Sequence, residues 1–328
     1  MMNIDGKEVL LICHKFYDYE LEIKKSIEKQ GAKVTLIYDN IGSYHLYYRM
    51  YYRYFPKKYN KVIYNYMSNI LKKSNCKFDL VFVIGGVLLD EDTIPLVKSY
   101  CNKNCKYIMY QWDSAKNNPN AQKIAKLFDA IYTFDVFDSK NLNWNYRPLF
   151  YIDSYIEKNC EKKLDICYLC TWHSKRAQIL QILKEFAKKN KFSLFYNMKV
   201  PFVFFMKHKY INKNPEYNDV AFRDVSFKTL SLKESYKLYQ KSKVVVDYTH
   251  PGQTGLTMRT IECLGNGCKL VTNNKLIKDA DFYNANNILV YEDELNIPRE
   301  FIDTPYEKVD NAVLEKYSID SWLQDILA

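Results

Sequence analysis

The chain has 328 residues, of which 48% are apolar and 26% charged, and this apolar content excludes an intrinsically disordered protein. The length suits two α/β domains of about 150 residues each. The net charge is +10, and no window reaches the roughly 18 uncharged apolar residues that a membrane-spanning helix needs.

In chain order, the polar and acidic start, Met1 to Gly6, does not have the pattern of a secretory signal, so the expectation is a cytosolic protein. Glu8–His14 reads as a strand and Tyr19–Gln30 as a helix closed by Gly31. Further strands are expected at Lys33–Tyr38, Asp79–Ile84, Lys106–Gln111 and Ala130–Phe134, with helices at Lys57–Ser74 and Thr93–Asn102 between them. The rhythm pauses across Asn141–Lys163, the place for a hinge. It restarts with strand Asp165–Cys170, helix Lys175–Lys189 and strand Phe192–Tyr196. Then follow Val225–Leu230, helix Ser231–Lys241, Lys243–Asp247, a helix from about Gly255 to Leu264, Lys269–Thr272, Asn287–Tyr291 and a closing helix Ser318–Leu327. Such β-α-β alternation implies parallel sheets with helices on both faces. The expected fold class is α/β, with two Rossmann-like open parallel-sheet domains. The first covers residues 1–150 and the second 151–328, the last helix packing back on the first. Open sheets of this kind bind ligands just beyond the C-terminal ends of their strands, here in a cleft between the two domains, so the residues after each strand are the candidates for chemistry.

Nine cysteines raise the question of disulfides or a metal. Cys167 and Cys170 lie inside the apolar run Ile166–Cys170, where residues three apart point to opposite faces of a strand. Buried thiols are therefore expected and no metal site. Asp90-Glu91-Asp92 is a D-x-D by letter only, at a helix start.

The positive charge is uneven. Between Ile41 and Asn75 there are seven Lys or Arg, no Asp or Glu, and nine tyrosines. Basic and amphipathic aromatic side chains together suit an anionic membrane surface. They also suit single-stranded nucleic acid, although no nucleic-acid module accompanies them, and an ordinary solvated helix pair has the same composition.

The most informative segment follows the strand Val244–Asp247: His250-Pro251-Gly252-Gln253-Thr254-Gly255-Leu256-Thr257-Met258-Arg259-Thr260-Ile261-Glu262, then Gly267 and the strand Cys268–Thr272. A glycine-containing loop opens a helix there, and the first-turn N–H groups near Gly255 to Thr257 form an anion site. Arg259 adds a permanent charge for a phosphate, and Glu262 suits two ribose hydroxyls. A second loop, Thr171-Trp172-His173-Ser174-Lys175-Arg176, brings hydroxyl, imidazole and guanidinium donors to another helix start, a pattern suited to a diphosphate.

The first of these segments resembles the donor signature of retaining GT-B glycosyltransferases, E-x7-E followed by a small-residue turn and a strand. Its wording is similar to that of capsule and lipopolysaccharide biosynthesis proteins of this fold. The second resembles a Thr-x-His-Ser-x-Arg loop of the same group. The resemblance implies an enzyme that moves a sugar from a nucleotide-sugar donor to a surface-glycan acceptor (capsule, lipopolysaccharide or exopolysaccharide), commonly lipid-linked, with no metal or other cofactor. It implies a protein that sits at the inner face of the membrane through residues 41–75. Glu262 falls on the second motif Glu, the ribose ligand, and Gly255 and Gly267 on the motif glycines. Thr254 stands where the first Glu would be, which leaves the donor sugar and the stereochemistry open. The implied donor site is Thr171, His173, Ser174, Arg176, His250, Gln253, Thr254, Gly255, Leu256, Thr257, Arg259 and Glu262.

On the acceptor side, Asp113 follows a strand and is the first candidate for a catalytic base, with His14 and Asp18 after the first strand behind it. Gly85-Gly86 lacks the spacing of a dinucleotide fingerprint, which disfavours a dehydrogenase. Two other readings stay open: a GT-B-shaped subunit that binds nucleotide or glycan without turnover, and a GT-B-fold epimerase or polyol-phosphate transferase.

Overall fold

A computed structural model of the chain describes residues 3–39, 54–87, 89–157, 160–213, 220–250, 252–292 and 294–327, without the side chains of residues 56 and 57. Of the basic tyrosine-rich stretch, residues 41–53 lie outside the described residues, as does Pro251.

The chain forms two compact units. The first takes the residues up to Leu149, together with Gln253–Gly255 and the closing helix from Ile319; the second takes Phe150–Gly252 and Leu256–Ser318. In the first unit, β1 (Glu8–Cys13), β2 (Lys33–Tyr38), β3 (Phe78–Ile84), β4 (Cys101–Gln111), β5 (Ala130–Thr133) and β6 (Asn145–Tyr146) form one sheet. Its order is β2-β1-β3-β4-β5-β6, with every pair parallel. The central strands are covered on both faces, which is why β1 and β3 read as nearly unbroken apolar runs rather than alternating ones. Each buried Val, Leu or Ile side chain stabilises by about 1.5–3 kcal/mol. Helix Ile319–Ile326 closes this unit: Trp322 is fully buried and meets the Tyr110 ring edge-on at 4.7 Å. Asp320 accepts from Ser26 Oγ at 2.5 Å and Lys29 Nζ at 2.6 Å.

In the second unit, β7 (Leu164–Thr171), β8 (Leu194–Lys199), β9 (Ser242–Asp247), β10 (Lys269–Thr272) and β11 (Ile288–Val290) make a parallel sheet in the order β11-β10-β9-β7-β8. Its core gathers Ile166, Tyr168, Leu180, Leu183, Val244 and Val246 with the buried Phe205. Cys167 and Cys170 are buried free thiols, and Cys170 belongs to this core. The α/β class with two open parallel sheets is thus the observed one.

Four elements differ from the sequence expectation. Val225–Leu230 is not a strand: only Ser226 bridges Lys199, and the Ser226 hydroxyl donates to the Lys228 carbonyl while accepting from the Lys228 N–H. That local turn competes with a sheet ladder. The helix expected from Gly255 runs from Met258 to Gly265, because Thr257 is extended and its hydroxyl accepts from Thr260 N as an N-cap. The helix Thr93–Ser99 ends three residues before Asn102, since β4 starts at Cys101 through a register shift against β3. A short strand, β6, forms within the stretch where the rhythm pauses.

Among the described residues, no helix is long and apolar enough to cross a membrane, and no group of three His, Cys, Asp or Glu is placed to hold a metal ion.

Candidate functional site

Parallel open sheets bind ligands where the strand order reverses, because the loops there diverge and leave a crevice at the C-terminal strand ends. In the second sheet that point lies between β7 and β9. The loop after β7 carries Thr171, His173, Ser174 and Arg176, and the loop after β9 carries Tyr248, Thr249 and His250. Arg176 ties the two together: Nη1 donates to the Thr171 carbonyl at 3.0 Å and Nη2 to the Tyr248 carbonyl at 2.8 Å. The His173 and His250 rings are 5.5 Å apart, and His173 Nδ1 lies 3.2 Å from Ser174 Oγ. Burial, with the charges of Arg176 and His250 beside it, lowers the His173 pKa to about 4. The imidazole is therefore neutral at physiological pH. Ser174 adopts a left-handed φ of 52°, a strained setting for a residue with a side chain.

Three buried polar atoms at these strand ends have no hydrogen-bond partner: Arg176 Nε, Thr249 Oγ1 and the hydroxyl of Tyr291, which follows β11. Buried polar groups are nearly always paired, so three orphans at the ends of one sheet mark a place for a polar ligand. Asp247, fully buried at the end of β9, accepts from Thr257 Oγ1 at 2.7 Å and from Arg259 Nη1. Burial alone would push this carboxyl up, but Arg259 and Arg176 outweigh it and hold it below the ordinary carboxylate value. Arg176 and Arg259 face Asp247, and Arg259 also faces the buried Glu262, so two guanidiniums stand against two carboxylates here.

The motif residues divide into separate groups. Thr171, His173, Ser174, Arg176 and His250 come together as described, and Thr257 and Arg259 join them through Asp247. Leu256 is buried. Glu262 is 3% exposed and lies beside Tyr236, Tyr239 and Arg259. Gln253, Thr254 and Gly255 belong instead to the first unit. There Asp135, after β5, takes the Thr254 amide at 2.9 Å, the Thr254 hydroxyl at 2.6 Å and the Gly255 amide at 3.2 Å. The Gly255 amide is thus bound by a protein carboxylate. A Cβ on Gly255 would sit 2.4 Å from Phe134 Cδ2, so only glycine fits this approach.

The first sheet reverses between β1 and β3, and its strand ends are acidic. Asp39, Asp113 and Asp135 follow β2, β4 and β5. Asp113 Oδ1 accepts from Ser114 N, Asn117 Nδ2 and Gln253 Nε2, each at 2.8 Å. His14, after β1, packs edge-on against Trp112 at 4.9 Å and near Phe16, and its Nδ1 is buried without a partner. Burial lowers its pKa, and Asp113 partly counters that. Asp18 is exposed at the N-cap of helix Tyr19–Lys29 with φ 68° and makes no capping bond. Asp39 is fully buried; Oδ2 accepts from Val87 N at 3.1 Å while Oδ1 has no partner. Burial raises its pKa to about 7. Gly85 and Gly86, with φ 86° and 68°, turn the chain sharply beside it after β3.

Thr249, Tyr291, Asp39, Asp135 and Asp247 were not singled out by motif. Four of them follow a strand directly or within two residues, and Asp247 is the last residue of one. The strand-end rule reaches them where the motif does not.

No family model matches the sequence, and no curated protein matches it. In three dimensions the chain resembles HepE from Anabaena in complex with UDP-glucose, with a TM-score of 0.57 at 9% identity over 98% of both chains. A UDP-N-acetylglucosamine 2-epimerase from Rickettsia bellii superposes with a TM-score of 0.55 at 10% identity, over 98% of this chain and 96% of that one. A glycosyltransferase from Rickettsia africae does so with 0.53 at 12% identity, over 98% and 97%. Identities this low establish a shared fold, the two-sheet GT-B architecture.

Proposed function

We propose that this protein is a glycosyltransferase that takes a sugar from a nucleotide-sugar donor and places it on a surface-glycan acceptor, a capsule, lipopolysaccharide or exopolysaccharide intermediate on a lipid carrier. The observation that carries the reading is the set of three unpartnered buried polar groups, Arg176 Nε, Thr249 Oγ1 and the Tyr291 hydroxyl, at the ends of β7, β9 and β11. A diphosphate supplies the anionic oxygens such groups lack. Arg176, His173, Ser174, Thr171 and His250 would hold the diphosphate, with Arg259, Thr257 and Thr249 in support and no metal. Glu262 is assigned to the ribose on the motif resemblance alone, since its carboxylate is buried. The fold shared with a protein complexed with UDP-glucose supports a nucleotide-sugar ligand.

In the transfer, an acceptor hydroxyl attacks the anomeric carbon, the bond to the nucleoside diphosphate breaks, and Arg176 stabilises the charge on the leaving phosphate. Asp113, with His14 as the nearby alternative, would take the hydroxyl proton in an inverting reaction. The test is calorimetry against UDP-, GDP-, dTDP- and CMP-sugars, with Arg176→Ala as comparison. Binding of one nucleotide class to the wild type, weakened at least tenfold or about 1.4 kcal/mol in the variant, is the expected result. Absence of binding by every class in a folded sample overturns the proposal.

One observation favours the second reading, a subunit that binds without turnover. Where the motif carries its first Glu this chain has Thr254, and its hydroxyl and amide are bound to Asp135. Binding of a nucleotide-sugar with neither hydrolysis nor transfer would select that reading.

A further inference from the structure

Beside the loop that carries Thr171 and His173, the second unit has an exposed apolar surface. After β8 the chain enters a helical run, Phe202–Met206 continued by Lys207–Ile211. It is fastened by its inner side: Phe205 is fully buried against Trp172, Phe222 and Phe227, and Lys209 Nζ donates to the Val220 carbonyl. Its outer side is apolar. Val203 is 73% and Ile211 75% exposed, and Phe202, Phe204, Tyr210 and the neighbouring Phe222 are each more than two-fifths exposed. Single exposed apolar residues are ordinary, but six large ones on one short segment and its neighbour mark an interaction surface.

Cations outnumber acids around the patch: between Lys199 and Asp224 five Lys or Arg stand against three acids, of which Glu216 and Asp219 lie outside the described residues. From Lys199 to Lys213 there are four lysines and one histidine and no acidic residue. Lys207, Lys213 and Arg223 are exposed. The adjacent acid, Asp224, is buried and neutralised by Lys184 at 2.6 Å. Apolar and aromatic side chains set among cations match the boundary between acyl chains and anionic headgroups.

We propose that the segment 202–211 docks the second unit onto an anionic phospholipid surface, with Val203, Phe204, Tyr210 and Ile211 entering the headgroup region and Lys207, Lys213 and Arg223 pairing with lipid phosphates. The proposal is separate from the basic stretch 41–75 of the first unit, and it does not rest on the sugar-transfer reading, because its readout is vesicle binding alone.

The test is co-flotation of the full chain with phosphatidylglycerol–phosphatidylethanolamine vesicles and with phosphatidylcholine vesicles. The wild type floats with the anionic vesicles and less so at raised salt. Val203→Glu/Ile211→Glu lowers the bound fraction at least about tenfold, with an unchanged circular dichroism spectrum and melting temperature, since both side chains stand in solvent. Unchanged flotation of this variant overturns the proposal. So does loss of flotation only on replacing Arg49, Arg53, Lys57 and Lys58 by Glu. Wild-type self-association in sedimentation velocity that the double variant abolishes, without any vesicle binding, also overturns it and assigns the surface to a second copy.

Discussion

The strand ends of the two sheets are built from the same topology and opposite chemistry. In the first sheet, carboxylates follow three of the strands, and two of them, on Asp113 and Asp135, are surrounded by protein donors. Asp135 alone accepts from Phe137 N, Asp138 N, Thr254 N, Thr254 Oγ1 and Gly255 N. In the second sheet guanidinium, imidazole and hydroxyl groups collect around Asp247, and three polar atoms have nothing to bond. A fold fixes where loops converge and leaves the sign of charge to the loop sequence. In the proposed reaction the acidic end would serve hydroxyl recognition and proton removal, and the end with the guanidiniums anion binding.

The comparison breaks most readily at Asp135. Asp135→Ala strips five donors of one buried acceptor and should cost about 3–5 kcal/mol of stability, measured by urea unfolding. A loss below about 1 kcal/mol would mean that these donors find water, and that the acidic end is not the closed network described here. Next in size is Trp322→Ala, which opens a cavity beside Tyr110 and should cost about 3–5 kcal/mol through packing alone. Its value to the comparison is as a control, because it destabilises without altering nucleotide-sugar affinity per folded molecule.

Two smaller effects sharpen the contrast through pH. Asp39 has a folded pKa near 7, above the unfolded carboxylate value of about 4, so it binds a proton more tightly when folded. Its contribution is fully present below the unfolded value and is lost as pH rises through 7. Asp39→Asn should therefore gain in melting temperature relative to wild type between pH 5 and pH 8; a difference that is flat with pH would contradict the buried carboxyl. His173 runs the other way. Its folded pKa near 4 lies below the unfolded 6.5, so the unfolded chain binds more protons in between, and stability falls on acidification from 6.5 to 4. His173→Gln should flatten that fall, by a modest amount since the ring is partly exposed. The smallest expected effect is Lys29→Met at the exposed pair with Asp320, within about 0.5 kcal/mol.

The sequence by itself marked most strands of both sheets and the longer helices, because an apolar run bounded by turn residues reads as a strand and an amphipathic helix must repeat every 3.6 residues; the short helices Pro119–Ile124 and Val136–Leu142 and strand β6 were not marked. Lys269–Thr272, buried throughout, and the edge strand Lys33–Tyr38 were legible to the residue. It also marked the loop from Thr171 to Arg176, where donor-bearing side chains stand next to a helix start. The tertiary structure alone decided the partners. No local pattern says that Gln253, Thr254 and Gly255 bond to Asp113 and Asp135, more than 115 residues earlier in the chain, or that Arg176 joins the ends of β7 and β9. Nor does one say that Glu262 ends up buried, or that the outer side of 202–211 rather than its inner one is left apolar. Periodicity is set by the covalent geometry of neighbouring residues, whereas charge pairing and burial depend on which distant strands the sheet order brings side by side.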